Sequence, residues 1–507
     1  MSPIAKLAPL RAHAGVRRTT GLDDATIERY ALAHPALGAA IDAAVAEYAR
    51  VKEEFAELLD LDEDAQLHAV QSGYVNFYPD DGVNPYVALV ARGPWLVTLK
   101  GAVLYDTGGY GMLGFGHAPQ PVLDAMARPQ VMANIMTANL SQLRFERALR
   151  REIGHTRTSD PGAANAGDGC PYAKFMCLNS GSESVSLAAR IADVNTKLMT
   201  DPGGRHAGRT IKRVVVKGAF HGRTERPALY SDSSRKTYLQ HLASFRGEDS
   251  LLTVAPYDIE ALRGVFADAE RNGWFIEALF LEPVMGEGDP GRSVPVEFYA
   301  AARELTRAHG ALFLVDSIQA GLRANGVLSV VDYPGFEGQE APDMETYSKA
   351  LNAGQYPLSV VAVNAHAAAL YRKGTYGNTM TANPRALDVG VAALSLLTPA
   401  LRTNIRERGR EALAKLEALQ AETGMITKVQ GTGLLFSCEL SREFKGYGAG
   451  STEEWLREHG LGVIHGGENS LRFTPHFAVT SDELDLLVGL VKRALLEGPR
   501  QKQAVAA

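Results

Sequence analysis

Over residues 22–71 apolar positions recur at helical spacing, with Ile41, Val45, Tyr48 and Val51 marking one stripe in a stretch rich in Ala, Leu and Glu. Residues three and four apart share a helix face, so this pattern predicts two or three helices. The acidic run 60–64 then reads as a solvated face or a helix boundary. Between Val75 and His117 the pattern shortens to runs bounded by turn residues, at 86–90, 95–99 and 103–106, which predicts a small antiparallel sheet.

Beyond Gln120 near-continuous apolar runs, at 174–178, 214–216, 278–281, 311–315 and 358–363, alternate with longer helical stretches. Strands buried on both faces and separated by helices predict an α/β fold with a mainly parallel sheet. From Pro384 onward the pattern predicts a long helix at 385–422, strands around 433–436 and 471–473, and a closing helix at 481–496. The expected division is a helical extension (1–72), a large domain (121–384) and a smaller α+β domain assembled from 73–120 and 385–507. The Gly- and Ala-rich stretch 160–169 reads as an exposed loop.

Composition changes this picture little. The chain has 507 residues, 46% hydrophobic and 22% charged, which is enough material for a large core and more than one domain. A net charge of -6 spread along the chain carries no basic footprint, which argues against nucleic acid or an anionic membrane as the main partner. Cys170, Cys177 and Cys438 are odd in number and lack metal-ligand spacing, so neither a disulfide framework nor a metal centre is expected, and a reducing compartment is. No apolar run approaches the roughly 20 residues of a spanning helix. Residues 1–20 carry Lys6, Arg11, Arg17 and Arg18 with no acid, which reads as a flexible basic tail with a weak likeness to an organelle presequence. The expected location is the cytoplasm, with the mitochondrial matrix as the alternative.

Candidate chemistry sits where the apolar runs stop. Sites on parallel sheets lie at the strands' C-terminal ends, and five segments meet that condition. Asn179-Ser180-Gly181-Ser182-Glu183 follows a strand and opens a helix, so the free amides of its first turn, with the Ser182 hydroxyl, suit an anion. Phe220-His221-Gly222-Arg223-Thr224 offers a ring to stack on a planar group and a guanidinium able to fork onto a carboxylate. Glu282 ends an apolar run and is followed by Pro283, which restricts the backbone that aims it. Asp316 ends the next run, and Lys349 follows it by 33 positions, about one strand-helix-strand unit. A lysine able to form an imine and a carboxylate able to keep a pyridine nitrogen protonated are two groups that a pyridoxal phosphate enzyme needs. Thr379, in Thr379-Met380-Thr381-Ala382-Asn383-Pro384, adds hydroxyl chemistry in a turn.

In order and approximate spacing these segments resemble the class III pyridoxal phosphate aminotransferases, the family of ornithine, acetylornithine and 4-aminobutyrate aminotransferases. The resemblance runs from about Val75 to Leu496 and rests on the glycine turn, Phe-His-Gly-Arg-Thr, Glu-Pro-Val-x-Gly-Glu, Asp-x-Ile-Gln, Ser-Lys and Thr-x-x-x-Asn-Pro. It implies a fold type I enzyme with a large and a small domain, pyridoxal 5'-phosphate as cofactor, and a homodimer with shared active sites. By the same resemblance Lys349 forms the imine to the cofactor and shuttles a proton, and Asp316 holds the pyridine nitrogen. Gly181 and Ser182 bind the phosphate, Phe220 stacks on the ring, Gln319 touches the ring hydroxyl side, and Thr379 reaches the neighbouring subunit's phosphate. Asn378, Tyr110, Arg223 and Arg472 are expected near substrate, with Phe77 or Tyr78 aligned to pocket-lining aromatics. Arg472 and Arg223 match carboxylate-binding arginines, and Glu282 is expected to pair with Arg472 and release it for the glutamate half-reaction. The implied activity is ping-pong transfer of a terminal or side-chain amino group, from an ornithine-, lysine- or omega-amino acid-like donor, to a keto acid such as 2-oxoglutarate. The alternative is an amino acid racemase or aminomutase of the same fold. Two positions depart from the pattern. The family generally has glutamate after the aspartate and glutamine before the glycine, where this chain has Ser317 and Met285.

Overall fold

A computed structural model describes residues 1–132, 134–157 and 169–501. The chain divides into two compact units, one of residues 1–120 and 407–507 and the other of residues 121–406. The loop expected at 160–169 falls, apart from Gly169, outside the described residues.

In the first unit the N-terminal segment is folded onto its own sheet. Contrary to a flexible basic tail, Pro3–Arg11 is a helix capped by Ser2, with Leu7 and Leu10 fully buried. Two apolar side chains one turn apart give the short helix a face to bury, which residue charge alone does not reveal. Four further helices follow, Asp24–Ala33, Pro35–Glu54, Ala56–Leu59 and Glu63–Gln71. Pro35 occupies the first helical position, where its missing N–H goes unneeded. The buried face of Pro35–Glu54 is Leu37, Ala40, Ile41, Ala44 and Tyr48, and it leaves Val45 partly exposed. The acidic run ends as a helix boundary in which buried Glu63 accepts the Thr19 N–H at 2.7 Å. Strands β1 (Ala88–Arg92), β2 (Trp95–Thr98) and β3 (Val103–Asp106) form the expected antiparallel meander. Tyr30, His34 and Tyr105 surround the buried Trp95 ring at centroid distances of 5.1–6.0 Å, and such aromatic pairs add about 0.5–1.5 kcal/mol each beyond burial.

In the second unit, strands β4 (Lys174–Leu178), β5 (Thr210–Val216), β6 (Leu251–Val254), β7 (Trp274–Leu281), β8 (Leu312–Asp316), β9 (Met344–Tyr347) and β10 (Ser359–Val363) form one sheet in the order β4-β10-β9-β8-β7-β5-β6. The strands β6-β5-β7-β8-β9 run parallel, and β10 lies antiparallel to both its neighbours. Helix Gly181–Thr200 packs Val185, Leu187, Ala188, Ala189, Ile191 and Ala192 into a core with Val215, Phe280, Leu314 and Val361. The connection from β8 to β9 carries a 3-10 turn at Val330–Asp332 and no α-helix, unlike the strand-helix-strand unit expected. Gly321, Gly326, Pro334, Gly335, Gly338 and Pro342 in that stretch disfavour a continuous helix.

The remaining strands, β11 (Ile426–Thr432), β12 (Leu435–Leu440), β13 (Leu461–Gly462), β14 (Ile464–Gly466) and β15 (Ser470–Phe473), belong to the first unit. There β11-β12-β15-β14 form a second sheet, and β13 adds parallel to β3. The single helix expected at 385–422 is two, Pro384–Ser395 and Pro399–Thr423. Pro399 lacks an N–H and pushes Thr398 out of the α region, which separates them. Pro384–Ser395 packs on Leu140–Glu152 within the second unit, so the boundary falls at 406/407 and not at 384.

Candidate active site

The C-terminal ends of β4, β7, β8 and β9 and the turns that follow them bring together most of the sequence-predicted groups. Asp316, the last residue of β8, is 6% exposed. Its Oδ1 accepts the Thr346 hydroxyl at 3.1 Å and the Ile318 N–H at 3.2 Å, and its Oδ2 lies 2.8 Å from His221 Nδ1. A buried carboxylate facing Nδ1 favours the tautomer with the proton there. The His221 ring stands edge-on to Phe280 at 5.7 Å, and its Nε2 is buried with no hydrogen-bonding partner among the described residues. His221 is thus a hydrogen-bonded, packed ring. Its pairing with Asp316 had no sequence signal, because 95 positions separate the two.

Lys349 follows β9 and opens the 3-10 turn Lys349–Asn352 with φ +51°, in the left-handed region that a side chain rarely adopts. Non-glycine residues held there store about 1–3 kcal/mol of strain. Its Nζ donates to Gln319 Oε1 at 3.3 Å, and Gln319 Nε2 is buried without a partner among the described residues. A Cβ at Gly286 would stand 2.1 Å from Gln319 Oε1, so only glycine admits the glutamine there.

Gly181–Thr200 begins with a capping box, Ser180 Oγ accepting the Glu183 N–H at 3.3 Å and Glu183 Oε2 accepting the Ser180 N–H at 3.1 Å. A Cβ at Gly181 would stand 2.7 Å from Ile318 Cδ1, which keeps the first turn bare close to the residues after Asp316. Asn378, expected near substrate, instead braces this turn. Its amide donates to Glu183 Oε1 at 3.2 Å and its oxygen accepts from Asn179 Nδ2 at 3.3 Å. Thr379 beside it is exposed. Phe220 is half-buried, with the Arg223 guanidinium 4.7 Å from its ring centroid.

Glu282, expected to pair with Arg472 and release it, is held by backbone amides of its own unit. It is 6% exposed, and its two oxygens accept backbone N–H groups within its own unit, Phe220 at 2.9 Å and Gly286 at 2.7 Å. Swinging it toward an arginine would leave two amides without their acceptor, so the structure makes it the clamp between the Phe220 and Gly286 loops. Burial pushes its pKa up to about 7, against the opposing pull of His221 and the two amides. A folded-state pKa above the ordinary 4.5 means that the protonated form stabilises the fold. That stability is complete below pH 4.5 and is lost as the pH rises through 7. Urea unfolding of the wild-type protein should therefore weaken by up to about 3 kcal/mol from pH 4.5 to 8 relative to Glu282→Gln, and parallel pH profiles for the two proteins would exclude Glu282 as the source.

The sequence-predicted Arg472, Tyr110, Phe77 and Tyr78 lie in the first unit. Arg472 on β15 is 1% exposed, with its guanidinium 5.6 Å from the centroid of Tyr110. Tyr110 has φ +50° and ψ +26° and stacks on Tyr78 at 6.0 Å, and Phe77 lies 4.2 Å beyond. Met285 is buried, and Ser317 is buried behind Asp316.

Comparison with known proteins agrees with this geometry. A family model described as aminotransferase class-III matches residues 78–495. The acetylornithine aminotransferase of Xanthomonas axonopodis pv. citri is 31% identical over 313 residues, 61% of this chain and 71% of that protein. Ornithine aminotransferase 2 of Staphylococcus aureus is 29% identical over 326 residues, 63% of this chain and 74% of that protein. Among solved structures, the ornithine aminotransferase of Toxoplasma gondii ME49 superposes with a TM-score of 0.69 over 88% of this chain and 98% of that one, at 22% identity, a likeness of fold. The lysine and aspartate at the ends of adjacent parallel strands and the family match over most of the length lead to one conclusion: the chain belongs to the class-III aminotransferases and is a pyridoxal phosphate-dependent transaminase.

Proposed function

We propose that the enzyme transfers the terminal or side-chain amino group of an ornithine-, lysine- or omega-amino acid-like donor to 2-oxoglutarate, in two half-reactions that use Lys349 in turn. The observation that carries this reading is the placement of Lys349 after β9, its amine against Gln319, beside the buried Asp316 at the end of β8. The names of the relatives point to the donor class, since those proteins act on ornithine or acetylornithine.

The residues present fit the cofactor. The orphaned Gln319 Nε2 is a donor suited to a ring hydroxyl, and the bare Gly181 turn offers amides to a phosphate. Asp316 keeps acceptor capacity beyond its three partners, because a carboxylate has about four lone-pair sites. Gly181 and Ser182 would hold the phosphate, Phe220 the ring face, Asp316 the ring nitrogen and Gln319 the ring hydroxyl. Pyridoxal phosphate supplies an electron sink conjugated to the carbon that gains or loses the amine. Lys349 would hold the cofactor through its amine and, once freed by the incoming substrate amine, would carry a proton between the reacting carbons as general base and acid. Asp316, buried at the end of β8, would face the ring nitrogen and favour the protonated form that makes the sink effective. Arg472 and Arg223 take substrate carboxylates through paired hydrogen bonds.

The active form is a homodimer in this reading, with Thr379 reaching the neighbouring subunit's phosphate. In support, Val131, Met132, Ile135, Met136, Leu140 and Leu143 are all exposed within one short stretch of chain, and clustered exposed apolar side chains mark protein–protein contacts. Among the described residues no single helix is long and apolar enough to cross a membrane, and the reading places the enzyme in the cytoplasm.

A panel of amine donors assayed with 2-oxoglutarate and with pyruvate, on protein whose molar mass in solution is measured alongside, tests the whole reading. The expected result is glutamate formed from ornithine, acetylornithine, lysine or an omega-amino acid by a two-chain particle. Turnover of these donors with pyruvate alone would overturn the keto acid. Isomerisation of an amino acid with no keto acid required would replace the transfer reaction.

A further inference from the structure

Behind Asp316 lies a second carboxylate that none of the steps above uses. In the β8/β9 register Val315 lies opposite Glu345 and Asp316 opposite Thr346. Successive side chains alternate between the faces of a sheet, so while Thr346 reaches Asp316, Glu345 points to the other side. There it is completely buried and accepts four hydrogen bonds. The Ser317 hydroxyl at 2.5 Å and the Val330 N–H at 2.9 Å reach Oε1, and the Ser329 hydroxyl at 2.5 Å and the Tyr172 hydroxyl at 2.6 Å reach Oε2. Four acceptances, three of them hydroxyls at 2.5–2.6 Å, fill the lone-pair sites of a carboxylate.

These donors come from the segment before β4, the turn after β8 and the 329–330 turn, so one side chain on β9 ties three other segments together. Two of the segments bear on the site. Ser317 follows Asp316 directly and Glu345 precedes Lys349 by four residues. The Ser317 N–H also bonds the Thr346 carbonyl at 3.0 Å, which locks the end of β8 to β9. The Ser317 hydroxyl touches Glu345. A carboxylate projected from 317 would therefore fall among the same donors.

We infer that Glu345 is a positioning residue whose buried carboxylate holds the ends of β8 and β9 so that Asp316 and Lys349 keep their placement. It touches neither substrate nor cofactor. Burial draws Glu345 toward its protonated form and the hydroxyl and N–H donors oppose this, while burial and Glu345 together hold the Tyr172 proton in place as a donor. The inference rests on the proposed pairing of Asp316 with the cofactor ring.

The test compares the wild-type holoenzyme with Glu345→Gln, Ser317→Glu and the double variant Ser317→Glu/Glu345→Gln. Three quantities are read: the pH titration of the visible absorbance of lysine-bound cofactor, kcat against KM, and the melting temperature of the cofactor-free protein. Glu345→Gln should shift the titration midpoint and lower kcat by about tenfold or more, as expected for the loss of bonds to a charged group, with a smaller change in KM. Ser317→Glu, which crowds two carboxyls, should lower the melting temperature. The double variant should recover both the midpoint and the melting temperature. An unshifted midpoint in Glu345→Gln, or a double variant no better than the worse single one, overturns the inference. Should Glu345→Gln not fold, Glu345→Asp, which keeps the charge and shortens its reach, is titrated in its place: a shifted midpoint supports the inference and an unshifted one overturns it. Wild-type protein that never develops the absorbance would instead refute the cofactor site itself.

Discussion

Replacing Lys349 with Ala is expected to lower kcat by at least about 10³-fold with every donor, within the range that one positioned proton-transfer group contributes. The backbone at 349 is already in the left-handed region in a tight 3-10 turn, and its two neighbours Ser348 and Ala350 are buried. Alanine meets the same backbone constraint, so the fold should persist and the loss should be chemical. Gln319 is left facing the position of the amine, and a glutamine neither forms an imine nor carries a proton between carbons. The measurement is single-turnover and steady-state rates on protein whose far-UV spectrum and melting temperature match the wild type. Residual turnover within tenfold of wild type would remove Lys349 from the mechanism.

Asp316→Asn should have the next largest effect, a fall in kcat of about 10²–10³-fold, or about 3–4 kcal/mol, the lower part of what is lost when a buried charge pair loses one member. Asparagine preserves volume and can still accept from Thr346 or Ile318, so the local fold keeps most of its bonds. What it loses is the negative charge facing His221 Nδ1 and the ring nitrogen. An amide can present an N–H toward the heterocycle and so favours its neutral form. The same variant should raise the KM for the cofactor, measured by the return of activity on titrating pyridoxal phosphate into stripped enzyme. Equal kcat values for Asp316→Asn and wild type would mean that the ring nitrogen is not held by this carboxylate.

Much of the second unit is legible in the order of residues alone. Five of its seven strands coincide with apolar runs, because strands covered on both faces need continuous apolar sequence. The turns that follow β4, β5, β7, β8 and β9 carry Ser182, Phe220, Gly286, Gln319 and Lys349, as expected when function sits at strand ends. The two strands missed, β6 and β9, are the shortest in the sheet, and β9 contains Glu345 and Thr346, which break the apolar run. Other misreadings have the same local origin. Residues 3–11 look like a charged tail until Leu7 and Leu10 find a surface to cover. Glu282 looks like a carboxylate aimed into a cleft until the Phe220 and Gly286 amides close on it.

The sequence by itself determined most of the element types, the groups available for catalysis and, through the order of its motifs, the family, because periodicity, glycine and proline placement and side-chain chemistry are local properties. Only the tertiary structure decided that His221 meets Asp316, that Asn378 braces the Gly181 turn, that β10 runs against its neighbours, and that the Ser317 hydroxyl meets Glu345. Partners of a buried polar group are set by strand register and by loops that return from far along the chain, and a pattern read a few residues at a time does not encode which of many possible donors arrives.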